Sequence, residues 1–402
     1  MSAVLTFEQT IQAPIEQIYR AFTNATALRE WLCDTATVDA RSGGRVYLAW
    51  ISNYYAAGVY TQLEPNALVA FTWAGRDDPA PTHVEVRMTA SGPSATLLTL
   101  HHSGLGDDPS WLPARKQITQ GWTKGLKNLV SVLEEGPDLR ITLRPMLGFI
   151  LGEINPKIAD ELNLPVCEGM RLDSLVAGMG ADRAGLQKDD LIVSLDGKPI
   201  AQFADLPGIL SARQGGDWIE VEFYRGPKKH QISLELSRRP LPNIPATPQE
   251  MSETLAKVYA ELDRTLGEIL KGISPAQEAF RPDPNEWNIK EILAHLIHNE
   301  REAQSWVNDF VFSQERLADG YADNLPARLH ATVKAYPSAA ELFAEFKKTE
   351  AETIHLIGEL PASFVARKGS YWKLGFSFLQ PPFHVLGHID QIRANIQTYK
   401  PV

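Results

Sequence analysis

Near its C-terminal end the chain reads FHVLGHIDQI, Phe383 to Ile392. Histidines four residues apart on a helix share one face, with Cβ atoms about 5–6 Å apart. His384 and His388 thus present two imidazoles to one point, half of a divalent-metal site. The pair lacks the glutamate of the H-E-x-x-H zinc-protease motif, because Val385 stands there. Taken alone, it is first read as a structural pair. A second stretch, WNIKEILAHLIHNE, changes that balance. It sets His295 on the stripe made by Ile292, Leu296 and Asn299, aimed inward, while His298 lies about 60° off that direction. Three imidazoles buried together without a cation are costly to charge and hard to satisfy.

The elements that must hold these histidines are helices. Across residues 245–402 TPQE (Thr247–Glu250), NIKE (Asn288–Glu291) and SAAE (Ser338–Glu341) signal long helices, and SPAQ (Ser274–Gln277) a short turn. Pro381 and Pro382 open the last helix and Pro401 ends it. Four long helices predict a bundle. WNIKEILAHLIHNE together with FHVLGHIDQIR resembles the DinB/YfiT-like superfamily of metal-binding four-helix proteins over this whole segment. The resemblance implies that His295, His384 and His388 ligate one divalent metal ion. It also implies that Gln391 orients a ligand or a water from the second shell. Imidazole donors suit zinc, nickel, iron or copper, with zinc or nickel the expectation. Three ligands leave positions open on the ion, where a low-molecular-weight thiol is held in the family's enzymes. Two functions follow as expectations. One is a metal-dependent thiol S-transferase or related enzyme; the other is a non-catalytic module that senses ligand and metal and recruits protein. No catalytic side chain is assigned. Tyr371, Trp372 and Phe376, ahead of the last helix, are candidates for a site wall.

Residues 1–136 read as a strand (LTFEQTIQ), a helix (APIEQIYRAFTN), five strand-like runs and a closing helix, KQITQGWTKGLKNLVSVLEE. Val84, Val86 and Met88 alternate as on a half-buried strand. Trp122, Leu126, Leu129, Val130 and Leu133 recur at helical spacing. The openings APIEQIYRAFTN and LREWLCD, the turn RSGGRVYLAW and the closing GWTKGLKNLVSVLEEG resemble the START-like (SRPBCC) superfamily, in its heat-shock ATPase activator homologue branch. An α+β helix-grip domain is implied, with a cavity for a small apolar ligand lined by Trp31, Trp50, Tyr55, Phe71, Trp73 and Trp122. His101 and His102 are adjacent on a strand and point to opposite faces.

Residues 140–237 contain SLVAGMGADRAGLQKDDLIVSLDGKPI, which resembles a PDZ domain of the bacterial protease-associated kind, a mostly-β fold. Asp196–Gly197 is a tight hairpin signal. The resemblance makes RPMLGF the carboxylate-binding loop. A hydrophobic C-terminal peptide or protein tail would then meet Met146, Leu147, Gly148 and Phe149 and pack against a helix bearing Leu206 and Leu210. The chain's own end, YKPV with Val402, is one such terminus.

Composition agrees with this multidomain reading. The 402 residues suggest two to four domains. Breaks fall at EEGPDLR and at SRRPLPNIPATPQE, which holds four prolines. A net charge of −10 argues against a nucleic-acid partner. No apolar run reaches a membrane span. No secretory signal is read at the N-terminus, and two widely separated cysteines fit a cytoplasmic protein.

Overall fold

A computed structural model describes residues 3–92, 94–210, 213–284, 286–316 and 326–400. Pro401 and Val402, to which the helix stop and the peptide-like terminus were assigned, lie outside the described residues.

The first sheet is antiparallel. It comprises β1 (Ala3–Ile11), β2 (Thr35–Val38), β3 (Arg45–Ala49), β4 (Tyr55–Glu64), β5 (Leu68–Gly75), β6 (Thr82–Gly92) and β7 (Ala95–Leu105), ordered β1-β7-β6-β5-β4-β3-β2. Helices α1 (Ile15–Thr23), α2 (Ala25–Trp31) and α3 (Leu112–Glu134) complete the unit. Alternation decides which face is buried: Val84, Val86 and Met88 go inward while Arg87 stays in solvent. Opposite them α3 buries Trp122, Leu126, Leu129 and Leu133, with Val132 rather than Val130 completing its stripe.

One polar chain crosses this core. Trp122 Nε1 donates to His102 Nδ1 at 2.9 Å, so the other imidazole nitrogen, 2.7 Å from Thr82 Oγ1, carries the proton. Thr82 Oγ1 donates in turn to the Trp73 carbonyl. Every donor and acceptor is used with His102 neutral, and burial pushes its pKa down to about 4. The unfolded chain takes up a proton near pH 6.5, and the folded chain does so only near pH 4. Stability is therefore fully present above pH 6.5 and declines as pH falls toward 4, by about 3 kcal/mol. Urea midpoints at pH 7 and pH 4.5, followed by tryptophan emission, should differ more for wild type than for His102→Gln, which cannot titrate. Equal differences would disprove this assignment.

The second sheet runs β13 (Lys228–Glu235), β12 (Trp218–Arg225), β10 (Leu191–Leu195), β9 (Met170–Leu175), β8 (Phe149–Gly152), with β11 (Lys198–Pro199) on β10. Short helices α4 (Leu139–Thr142), α5 (Pro156–Glu161), α6 (Gly180–Arg183) and α7 (Leu206–Leu210) accompany it. Asp196 and Gly197 both take positive φ, as the hairpin signal requires. The chain enters and leaves this unit side by side. Met146 and Ser237 exchange two backbone hydrogen bonds of 2.9 and 2.8 Å.

The third unit is helical: α8 (Pro248–Leu270), α9 (Pro275–Ala279), α10 (Ile289–Val311), α11 (Pro326–Ala335), α12 (Ala339–Gly358), α13 (Ala362–Val365), α14 (Lys368–Leu379) and α15 (Phe383–Thr398). Ser274, Asn288 and Ser338 each form both halves of a capping box. Thr247 accepts from the Glu250 amide. Helices α8, α10, α12 and α15 meet around Leu262, Ile292, Phe346 and Ile389.

The first and third units are joined by contacts that the proline-rich connection does not suggest. Glu315, just past α10, accepts from Arg29 of α2 at 2.8 Å, from Lys373 of α14 at 3.1 Å and from Trp306 Nε1 at 2.9 Å. Glu30 accepts from Ser370 Oγ at 2.5 Å. Ser313 Oγ accepts from Arg20 and Arg367. Helix α14 lies so close to α3 that a Cβ on Gly369 would stand 2.3 Å from Val132. The segment expected to wall a metal site thus serves another purpose. Tyr371 is core, and the Trp372–Phe376 stack begins beside Gly136 of the first unit.

Candidate metal centre and ligand sites

His295 comes from the buried face of α10, and His384 and His388 come from one face of α15. His384 Nε2 lies 3.1 Å from His295 Nε2 and 3.1 Å from His388 Nε2. One ligating nitrogen from each residue falls within 4.8 Å of the other two. The trio is closed on the α10 side and open at His384.

The partners fix how these rings are protonated. His388 Nδ1 stands 3.0 Å from Gln391 Oε1. An amide oxygen only accepts, so Nδ1 carries the hydrogen and Nε2 turns a lone pair toward His384. Gln391 Nε2 passes the chain on to Glu286 Oε2 at 3.3 Å. Asn299 lies 3.1 Å from His384 Nδ1. Trp287 stacks along His388 and tilts against His295, its carbonyl held by Asn395. Burial lowers the pKa of both His384 and His388, and His388 lowers that of His384 further. Both shifts favour the neutral form of these two imidazoles, the form that binds metal. Two of the nitrogen separations, 3.1 Å each, are close to the ~3.3 Å at which nitrogens stand around one tetrahedral ion at ~2.0–2.1 Å, so the trio fits a cation that displaces the protons shared between the rings. His298 points elsewhere, 3.0 Å from Thr332 Oγ1 of α11.

Sequence reasoning reached the three histidines and Gln391. It missed Glu286 and Trp287 and gave Asn299 no role. Asn299 carried a signal, one turn after His295 on the inward stripe. Glu286 carried none, because it arrives from the loop before α10.

In the first unit a cavity of about 290 Å³ lies between sheet and α3. Trp31, Trp50, Trp73 and Trp122 line it, joined by Tyr54. Tyr55, expected in the lining, is exposed and packs against Tyr47 outside the cavity. Successive strand residues face opposite ways, so Tyr54 takes the inward place. Phe71, also expected there, is core between Tyr60 and Trp73.

In the second unit Leu147, Phe149, Leu206 and Leu210 share one apolar cluster. β8 is the edge strand, so one side of it has no strand neighbour among the described residues. Gly148 has φ +89°, and a Cβ there would meet Met179 at 2.3 Å, so the loop requires glycine. Met146 was expected to touch a peptide, but it spends its backbone N–H and C=O on Ser237.

Comparison with known proteins separates the same three regions. The family model for Activator of Hsp90 ATPase homolog 1-like proteins matches residues 12–134, the PDZ domain model residues 155–236 and the DinB superfamily model residues 258–392. The chain therefore joins a START-like, a PDZ and a DinB-like region in that order. Among curated relatives, a probable periplasmic serine endoprotease DegP-like protein of Marinomonas sp. is 27% identical over 120 residues, 30% of this chain and 26% of that protein. A protein of the same description from Ectopseudomonas mendocina is 30% identical over 97 residues, 24% of this chain and 20% of that one. The chain thus spans about a quarter of the length of these relatives. An HSP90 activator from Plasmodium falciparum is similar in structure at 22% identity and a TM-score of 0.29, over 32% of this chain and 95% of that one. An Aha1 dimer from Colwellia psychrerythraea aligns at 21% identity and a TM-score of 0.30, over 33% of this chain and 98% of that one. No helix among the described residues is long and apolar enough to cross a membrane.

Proposed function

We propose that the DinB-like unit binds one divalent metal ion, zinc or nickel, through His295, His384 and His388, and uses it in thiol-transfer chemistry. The observation that carries this reading is the convergence of three imidazole nitrogens, with the His388 tautomer set by Gln391. A bound ion would lower the pKa of a thiol or water held at its open positions. The protein's own part is to favour the neutral form of His384 and His388 and to fix the aim of His388 through Gln391, Glu286 and Trp287. Exposure at His384 supports access for a small thiol. In this reading the PDZ unit receives a hydrophobic C-terminus along β8, and the START-like cavity takes a small apolar ligand.

The test is direct. Protein stripped of metal, reloaded with zinc or nickel and desalted should hold about one ion per chain. With glutathione or cysteine and an activated aryl halide, the loaded form should outpace the stripped form. Loading without any gain in rate would leave metal binding standing and remove the transferase. A second reading, a ligand-sensing module without turnover, draws on α2. That helix carries Trp31 in the cavity wall and Arg29 and Glu30 in the contact with the helical unit.

A further inference from the structure

The lining of the START-like cavity is asymmetric in charge. Around four tryptophans and Tyr54 it includes Lys124 and Arg140 but no carboxylate. In a chain with ten more acidic than basic side chains, that selection stands out. Arg140 is already matched: its guanidinium donates to Asp138 and to the carbonyls of Cys33 and Arg29. Lys124 meets no carboxylate among the described residues and stands at the exposed side of the cavity.

The geometry of α3 points the same way. Gln117, Gly121, Lys124 and Asn128 recur at helical spacing and form one stripe along the cavity. Glycine inside a helix costs about 1 kcal/mol relative to alanine. Packing does not demand it at position 121, because a Cβ there would touch nothing within 4 Å. At Gly125 a Cβ would come 3.4 Å from Leu32 and Trp31, ordinary contact. The two glycines hold space open beside the tryptophans and leave Lys124 at its edge. Trp50, Trp73 and Trp122 pack on one another in a tilted row, with centroids 6.2 and 5.6 Å apart, and the indole surface they leave toward the cavity suits a flat ring system. An anionic group on that ring satisfies Lys124. A cationic ligand would face Lys124, a like charge with no acid in the lining to offset it.

We propose that this cavity binds a flat aromatic carboxylate, its rings among Trp31, Trp50, Trp73 and Trp122 and its charge at Lys124, entering beside Gly121. The proposal rests on the ligand-cavity reading and adds the ligand's chemical class and the residue that selects it.

The experiment uses the full chain and three probes of one shape: 2-naphthoate, neutral 2-naphthalenemethanol and cationic (2-naphthyl)trimethylammonium. Quenching of tryptophan emission reports binding, because four tryptophans line the site. Naphthoate should bind roughly tenfold more tightly than the alcohol, about what one charge-assisted hydrogen bond supplies, and the ammonium most weakly. Lys124→Gln should erase the preference for naphthoate over the alcohol and leave alcohol binding unchanged. Gly121→Phe, which fills open space on a helix surface, should abolish binding of all three while thermal unfolding stays intact. Equal binding of naphthoate and alcohol by wild type would overturn the charge selection and spare the apolar cavity. Saturable binding of none would overturn both. Binding unaffected by Gly121→Phe would place the probes elsewhere and also overturn the proposal.

Discussion

His388→Ala protein, saturated with zinc and desalted, is expected to retain almost none of the metal that wild type keeps. The side chain removed supplies one of three converging nitrogens, and it is the one whose tautomer the fold fixes. Loss of an outer partner of a metal ligand typically costs about 10–100-fold in affinity, which is the expectation for Gln391→Ala. Loss of the ligand itself should cost more, so affinity should fall in the order wild type, Gln391→Ala, His388→Ala. His298→Ala supplies the control. That imidazole is also buried, yet it faces Thr332 rather than the trio, and metal content should stay near one per chain. Equal content in wild type and His388→Ala would refute the centre and remove the transferase with it.

Glu315→Ala should uncouple the first and third units. The Glu315 carboxylate is nearly buried, and burial works against its charge. Lys373, Trp306 and Arg29 outweigh that and hold its pKa below the usual range. Removing it leaves the Arg29 guanidinium, 5% exposed, facing Lys373 with no acid between them. Breaking a buried pair from one side costs about 3–5 kcal/mol. Calorimetry should show the joint unfolding of the two units split into separate transitions. Proteolysis should appear near residue 316 under conditions where wild type resists. A single transition with an unchanged midpoint would mean the contact contributes little. Metal content should be preserved in this variant, because His295, where α15 brings His384 and His388, lies three turns of α10 before Trp306.

These two experiments fall on opposite sides of what the chain revealed by itself. The histidines were legible because helical spacing is local: His384 and His388 sit one turn apart, and His295 lies on a stripe visible within eight residues. The helix starts were legible for the same reason, since a capping box spans four residues. Strand alternation showed which strands were half-buried but not which residue of a neighbouring pair turned inward. That depends on pairing of β4 with β3 and β5, and it separated Tyr54 from Tyr55. The bridge at Met146 was hidden for a related reason, because its partner Ser237 lies ninety-one residues away. The Glu315 contact joins residues 286 apart through long polar side chains that resemble any solvated face. Nothing in the spacing of Arg29, Glu315 and Lys373 marks them as neighbours.

The bridge between Met146 and Ser237 has a consequence for how this chain is assembled. Residues that exchange both backbone hydrogen bonds in an antiparallel pair have Cα atoms about 5.5 Å apart. The stem of the PDZ unit is thus narrow enough for one or two residues to close. The flanking units meanwhile grip each other through Glu315, Glu30 and Ser313 without help from it. Topologically the PDZ unit is a cassette carried on a two-part body, and it can be excised or exchanged at its stem while that body stays in one piece. A gene encoding the body has only to accept a new cassette at that point to join the same histidine trio to a different recognition unit.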